Sequence, residues 1–214
     1  AMHMKLFYCP RTRAFTSLWM LEECGAHYDL ARVNILDPEH PTPSYRTVNP
    51  MGKVAALEDG GTPFGETAAI LLYLADKFPA KRLAPPPNDP RRGRYLQWTL
   101  FSPIVIEPAM VAKSQANPVN TRAAGWGDYE RAMDALEPHL PKDGWMLGPD
   151  FMACDLNIAS TLRFGMQFGM IDKRPAFVAF AERAGARQAF QKASEIESRE
   201  HAAFEADKAK WVAQ

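Results

Sequence analysis

The apolar positions of this chain change rhythm about a third of the way along, and the change divides it into two kinds of structure. Lys5-Leu6-Phe7-Tyr8 is a short apolar run stopped by Pro10 and reads as a strand. A helix follows over residues 12–24, with Phe15, Leu18, Trp19 and Leu21 on adjoining rows and Gly25 where a C-terminal stop belongs. Residues 28–35 alternate loosely and predict a second strand. Residues 54–58, the turn Asp59-Gly60-Gly61 and the run Thr62-Pro63-Phe64 predict a hairpin, with Pro63 confining the returning strand to a sheet edge. Over residues 67–78, Ile70, Leu71, Leu74 and Phe78 share one helical face. The order is β-α-β followed by β-β-α.

Residues 79–87, Pro79-Ala80-Lys81-Arg82-Leu83-Ala84-Pro85-Pro86-Pro87, are too proline-rich for a regular element and read as a linker. Beyond them only the helical period recurs. Asp89-Pro90 and Asn117-Pro118 each place a capping side chain before a proline, a helix-start signal. Tyr129, Met133, Leu136 and Leu140 form one apolar stripe, Ile158, Leu162 and Met166 a second, and Phe177, Phe180 and Ala184 a third. The expected architecture is α/β plus all-α: a first domain over 4–79, a linker over 80–88 and a helical domain over 89–214.

Composition narrows the class of function. Lys+Arg and Asp+Glu both number 25, so the formal charge is zero and a nucleic-acid partner is not expected. With 47% hydrophobic and 23% charged residues the chain has the make-up of a globular protein, and no apolar run approaches the ~20 residues of a membrane span. The front carries no apolar leader core. Cys9, Cys24 and Cys154 are odd in number and contain no CxxC pair, so neither a disulfide framework nor a zinc site is expected, and a reducing cytoplasm fits best.

Several strings then carry a resemblance. Met4-Lys5-Leu6-Phe7-Tyr8-Cys9-Pro10, with a helix ending Leu21-Glu22-Glu23-Cys24-Gly25, opens the chain. Asn49-Pro50-Met51-Gly52-Lys53-Val54-Ala55-Ala56-Leu57 is similar to N-P-x-G-x-V-P-x-L, and Gly65-Glu66-Thr67-Ala68-Ala69-Ile70 to E-S/T-x-A-I. Leu147-Gly148-Pro149-Asp150-Phe151-Met152-Ala153-Cys154-Asp155 is similar to L-G-x-x-F-S-x-A-D. In this order and spacing they resemble the cytosolic, bacterial-type glutathione transferase family. The resemblance implies a thioredoxin-like first domain, glutathione as co-substrate, no metal, and a homodimer.

It also implies a site. Glutathione carries an ammonium and two carboxylates, so it needs an acceptor and donors. By resemblance Glu66 pairs with the γ-glutamyl ammonium, and Thr67, at a helix start, offers its N–H and hydroxyl to the γ-glutamyl carboxylate. Val54 precedes the position of the family's cis-proline, and its backbone meets the cysteinyl part; here Ala55 stands in the proline's place. Lys53 is set to meet the glycyl carboxylate, although a loop lysine is equally at home in solvent. Read without the resemblance, Glu66-Thr67 is a helix start with an acidic first turn.

The family activates the glutathione sulfur from the loop after the first strand. A thiol with a pKa near 8.5 is only a few per cent ionised at neutral pH, and lowering it by two units takes ~2.7 kcal/mol. A hydroxyl, a cation and a helix N-terminus each favour the thiolate. Thr12 lies near the serine of serine-type members, Cys9-Pro10 resembles a glutaredoxin-like start, and Tyr8 coincides with a beta-class tyrosine. Arg13 stands where beta-class members carry cysteine, and with Arg11 makes the loop cationic. Thr12 is equally a helix N-cap, Tyr8 a core residue, and the arginines surface ion-pairers. If Cys9 reacts, the chemistry becomes mixed-disulfide transfer; the departures at Ala55 and Arg13 leave a non-catalytic binding module as a third reading. Trp98, Phe101 and Ser102, with Met110 further on, are the expected wall for an apolar electrophile. Asp155 is the acidic half of a helix-capping box whose other position is Met152.

Overall fold

A computed structural model describes residues 3–35, 43–116, 118–207 and 210–211. It contains two compact units, one built from 1–74 with 187–214 and the other from 75–186. The last helix therefore packs with the front of the chain, whereas the helical period alone groups it with the helices before it.

In the first unit, β1 (Met4–Tyr8), α1 (Ala14–Glu23), β2 (Tyr28–Arg32), β3 (Ala56–Asp59), β4 (Thr62–Gly65) and α2 (Thr67–Lys77) follow in that order. The four-stranded sheet runs β2-β1-β3-β4. Strand β1 is parallel to β2 and antiparallel to β3, and β3 and β4 form the expected hairpin. Pro63 does lie on the edge strand, where its missing N–H costs no ladder bond. Helix α1 begins two residues later than its apolar rows predict, because Thr12 and Arg13 form the turn that leads into it.

Helix α1 is buried on nearly every side from Ala14 to Leu21, so a second helix must cover it. That cover is α8 (Gln188–Asp207). Its inward face is Phe190, Ala193, Glu197, Glu200 and Phe204, spaced 3, 4, 3 and 4. Phe190 meets Phe15 and Trp19 edge-on, with ring centroids 5.3 and 4.9 Å apart. The end of α1 is tied by carboxylates. Glu23, only 5% exposed at its side chain, accepts both arms of Arg187 at 2.8 and 2.9 Å and the Trp19 indole N–H at 3.0 Å.

The second unit holds α3 (Arg92–Phe101), α4 (Glu107–Gln115), α5 (Tyr129–Leu136), α6 (Ala153–Gln167) and α7 (Pro175–Gly185). The linker is not wholly irregular, since Pro79–Lys81 makes one 3₁₀ turn. Asp89 caps a turn ahead of α3, accepting the Arg91 N–H at 2.8 Å, and the helix proper starts at Arg92. Asn117 lies outside the described residues; residues 118–128 form turns, and the next helix is capped by Asp128. The predicted stripes are otherwise inward: Tyr129, Met133, Leu136, Ile158, Leu162, Phe177, Phe180 and Ala184 are all buried.

A π-turn over Ser102–Ile106 joins α3 to α4. Pro103 has no N–H to give the Thr99 carbonyl, and the Asn157 side-chain amide supplies it instead at 2.8 Å. At the start of α6, Asp155 is fully buried. One carboxylate oxygen accepts the Met152 N–H at 2.9 Å and the other the Met146 N–H at 2.8 Å. The acidic half of the capping box thus also secures the loop before it. Asp155→Ala strands two buried N–H groups and should cost roughly 3 kcal/mol in chemical denaturation, with Asp155→Asn costing about half. A loss under about 1 kcal/mol for the alanine variant would contradict this assignment.

Candidate functional site

Sheet register brings three segments of the first unit to one end of the sheet. Tyr8 pairs with Arg32, Phe7 with Ala56, and Ala56 with Gly65. The loop leaving β1, the segment entering β3 and the turn leaving β4 therefore emerge side by side. They carry Thr12 and Arg13, then Lys53 and Val54, then Glu66 and Thr67.

The loop after β1 is stitched by its own side chains. The Thr12 hydroxyl donates to the Cys9 carbonyl at 2.7 Å and accepts the Ala14 N–H at 3.2 Å. Thr12 is thus both the turn's fastener and a hydroxyl at the N-terminus of α1, partly open to solvent. Arg11, with φ +60°, and Arg13 flank it and are exposed. Cys9 is fully buried, in a cluster with Phe204 and Trp211 against which Ile35, Val54 and Ala203 pack. Tyr8 is also fully buried, and its hydroxyl donates to Glu197 of α8. Burial, and then Glu197, push the Tyr8 phenol far above its ordinary pKa, so it stays protonated and engaged.

Ahead of β3, the Lys53 carbonyl accepts from Tyr45 Oη at 2.7 Å and from Asn49 Nδ2 at 2.8 Å. Gly65 leaves room for Asn49: a Cβ there would stand 3.0 Å from Asn49 Nδ2. The Val54–Ala55 peptide is cis although alanine replaces the proline, and the Lys53 side chain is exposed. Glu66 sits in the left-handed region at φ +71°, a costly place for a side chain other than glycine, and its carbonyl accepts the Ile70 N–H at 3.0 Å as α2 begins. Thr67 opens that helix, whose first N–H groups have no partner within it.

In the second unit, Trp98 is buried against Phe101 and His139, at centroid distances of 4.9 and 4.8 Å. Phe101 is half-buried and Met110 buried. Ser102 faces the core and donates to the Asn157 carbonyl at 3.4 Å. A groove of about 760 Å³ in the same unit is lined by Val111, Ala112, Pro118, Val119 and Trp126 among others, and by none of these four.

The residues that periodicity did not flag lie on α8: Glu197, Glu200 and, beyond the helix, Trp211. Glu197 accepts Tyr8 on one oxygen and the Arg11 N–H, at 3.3 Å, on the other. Glu200 takes Arg32 in two bonds of 2.8 and 3.1 Å, and the Arg32 guanidinium also lies 4.9 Å from the Trp211 ring. The signal was available: two acidic residues occupy the apolar register of a helix between Ala193 and Phe204.

A thioredoxin-like sheet unit joined to a run of helices defines a class that comparison with known proteins makes specific. The "Glutathione S-transferase, N-terminal domain" family profile matches residues 9–77. A glutathione transferase structure from Methylococcus capsulatus strain Bath is 31% identical, with a TM-score of 0.75 over 91% of this chain and 98% of that one. A sphingomonad glutathione S-transferase, solved in complex with glutathione, is 30% identical with a TM-score of 0.73 over 91% and 98%. Glutathione S-transferase GstA of Escherichia coli O157:H7 is 27% identical over 164 residues, 75% of this chain and 82% of that protein. This chain belongs to the glutathione transferase family.

Burial holds the Glu197 carboxyl above the ordinary carboxylate range, against the opposing pull of Tyr8, the Arg11 N–H and the charges of His201 and Arg11. With a raised folded value, its contribution to stability is full below its value in the unfolded chain and is lost as pH rises through the folded value. Glu197→Gln cannot ionise, so it should gain stability relative to the native chain as pH rises from about 4 toward neutrality. Urea midpoints measured across that window test this, and a difference independent of pH would contradict it.

Proposed function

We propose that this chain is a cytoplasmic, homodimeric glutathione transferase that adds the glutathione thiolate to small apolar electrophiles. Family membership supports the reaction and implies the dimer. Among the described residues no helix is long and apolar enough to cross a membrane. The observation that carries the reading is the convergence of three segments at one end of the sheet, which bear between them groups complementary to each part of glutathione. Glu66 takes the γ-glutamyl ammonium, Thr67 and the start of α2 the γ-glutamyl carboxylate, the Val54 backbone the cysteinyl amide, and Lys53 the glycyl carboxylate. Residues 4–79 serve as the glutathione-binding part and residues 89 onward as the source of the second-substrate wall. Phe101, half-buried, supplies its apolar contacts, whereas Trp98 and Ser102 are buried and do not take part.

Thr12 then acts on the sulfur. Its single hydroxyl hydrogen is held by the Cys9 carbonyl in the free protein, and a thiolate is the stronger acceptor. Glutathione binding draws that hydrogen to the sulfur while the Ala14 N–H keeps the oxygen in place. The hydroxyl is a donor and not a base, so the thiol proton leaves to solvent. The dipole of α1 and the cations of Arg11 and Arg13 add to the same stabilisation. The thiolate forms the new carbon–sulfur bond, and the electrophile's displaced pair goes to its leaving group or its activated double bond. Mixed-disulfide chemistry at Cys9 would require a fully buried thiol to reach an external disulfide, which its apolar cover disfavours.

Thr12→Ala should lower kcat at neutral pH about 10- to 100-fold, as loss of a hydrogen bond to a charged group does, with glutathione affinity nearly unchanged. Thr12→Ser should keep most of the rate. A normal rate in Thr12→Ala, or a glutathionyl adduct on Cys9 after incubation with oxidised glutathione, would overturn this reading.

Glu66→Gly separates backbone strain from binding. Glycine accepts the left-handed conformation, so the free variant should be more stable by roughly 1 kcal/mol. Loss of the ammonium's partner should weaken glutathione binding by ~1.5–3 kcal/mol. Calorimetry and thermal melts read the two effects, and unchanged affinity would remove Glu66 from the site.

A further inference from the structure

The Cys9–Pro10 dipeptide lies between two residues that a single side chain from α8 grips. One Glu197 oxygen accepts the Tyr8 hydroxyl at the end of β1, and the other accepts the Arg11 N–H beyond Pro10. Arg11 has φ +60°, outside the conformation a non-glycine residue prefers, so something must hold it there. Within the loop the Thr12 hydroxyl bonds back to the Cys9 carbonyl, which closes the turn from the inside. Glu197 closes it from the outside.

The anchor is itself firm. One turn further along α8, Glu200 takes both arms of Arg32, and one turn before it Ala193 is fully buried. Among the described residues, Tyr8 and Arg11 bond to Glu197, and His201 on its own helix is a further titratable group near it. Apolar residues would join α8 to the sheet at lower cost than a half-buried carboxylate. What the carboxylate adds is direction, two acceptor oxygens at a fixed separation.

We infer that Glu197 is a positioning residue for thiol activation, holding Tyr8 and Arg11 so that the Thr12 hydroxyl is presented to the glutathione sulfur. This rests on Thr12 being the group that acts on the sulfur. Glu197 acts through the loop and touches no reacting atom. The C-terminal helix, distant in sequence from the loop, thereby sets the loop's geometry.

A cycle of Glu197→Ala, Thr12→Ala and the double variant tests the inference, reading thiolate absorbance of bound glutathione against pH and, where an electrophile is turned over, kcat and KM. Glu197→Ala should cut the bound thiolate fraction at neutral pH and kcat about tenfold, with glutathione KM within twofold. In the Thr12→Ala background the same substitution should cost less than twofold, because its effect passes through Thr12. Glu197→Gln should keep most of the thiolate, its amide oxygen accepting from Arg11 and its amide N–H donating to the Tyr8 oxygen. If the alanine variant does not fold, Glu197→Asp, one methylene too short to reach both partners, should show the same pattern with a smaller loss. An unchanged thiolate fraction in a folded Glu197→Ala or Glu197→Asp overturns the inference, as does an equal loss in both backgrounds. If the native protein binds glutathione without lowering its thiol pKa, the assigned role of Thr12 falls, and this inference with it. Normal thiolate formation that ignores Glu197 removes the inference alone.

Discussion

Antiparallel pairing of β3 with β1, with Phe7 opposite Ala56, is the constraint from which the candidate site follows. Because β2 runs parallel to β1 and β4 returns antiparallel to β3, one end of the sheet collects a strand exit, a strand entry and a hairpin exit. A one-residue slip of β3 would turn Leu57 out of the core and carry Val54 and Glu66 away from the loop after β1. The buried residues of β1 and β3 fix that register, so the energetics of an ordinary apolar core set the spacing of a polar site.

Helix α8 adds a second level of constraint. Its apolar contacts with α1 would form with any well-packed helix, but its two inward carboxylates aim at particular donors. Glu200 holds the end of β2 through Arg32, and Glu197 holds both sides of the Cys9–Pro10 step. Buried acidic groups are a poor source of stability. Their presence on this face is better explained by the geometry they impose, Glu200 on the end of β2 and Glu197 on the loop after β1, than by the free energy they contribute.

The order of the first unit was legible because its signals are local. Strand-length apolar runs, the Asp59-Gly60-Gly61 turn and the proline on the edge strand each act within a few residues. The motifs around Glu66 and Asp155 likewise named a helix start and a capping carboxylate, and the structure has both. Less was legible where the cause is distant. The period of α8 marks a helix but not its partner, and nothing near Tyr8 announces Glu197 some 189 residues away. Ser102 is expected in the wall for an apolar electrophile, yet it sits where Pro103 frees the Thr99 carbonyl and Asn157 crosses from α6 to meet it. Asp89-Pro90 shows the limit of a local rule: the carboxylate caps a turn, and the helix starts just past it.

On the proposed reading, a hydroxyl, a helix end and two arginines at one end of the sheet make a thiolate easier to form there than in water. The pKa of glutathione bound to the native protein, followed by thiolate absorbance in the near ultraviolet, tests it most directly. The account predicts a value well below the ~8.5 of a free thiol, by about two units if the groups act together. A bound thiol that titrates as it does in water would contradict it.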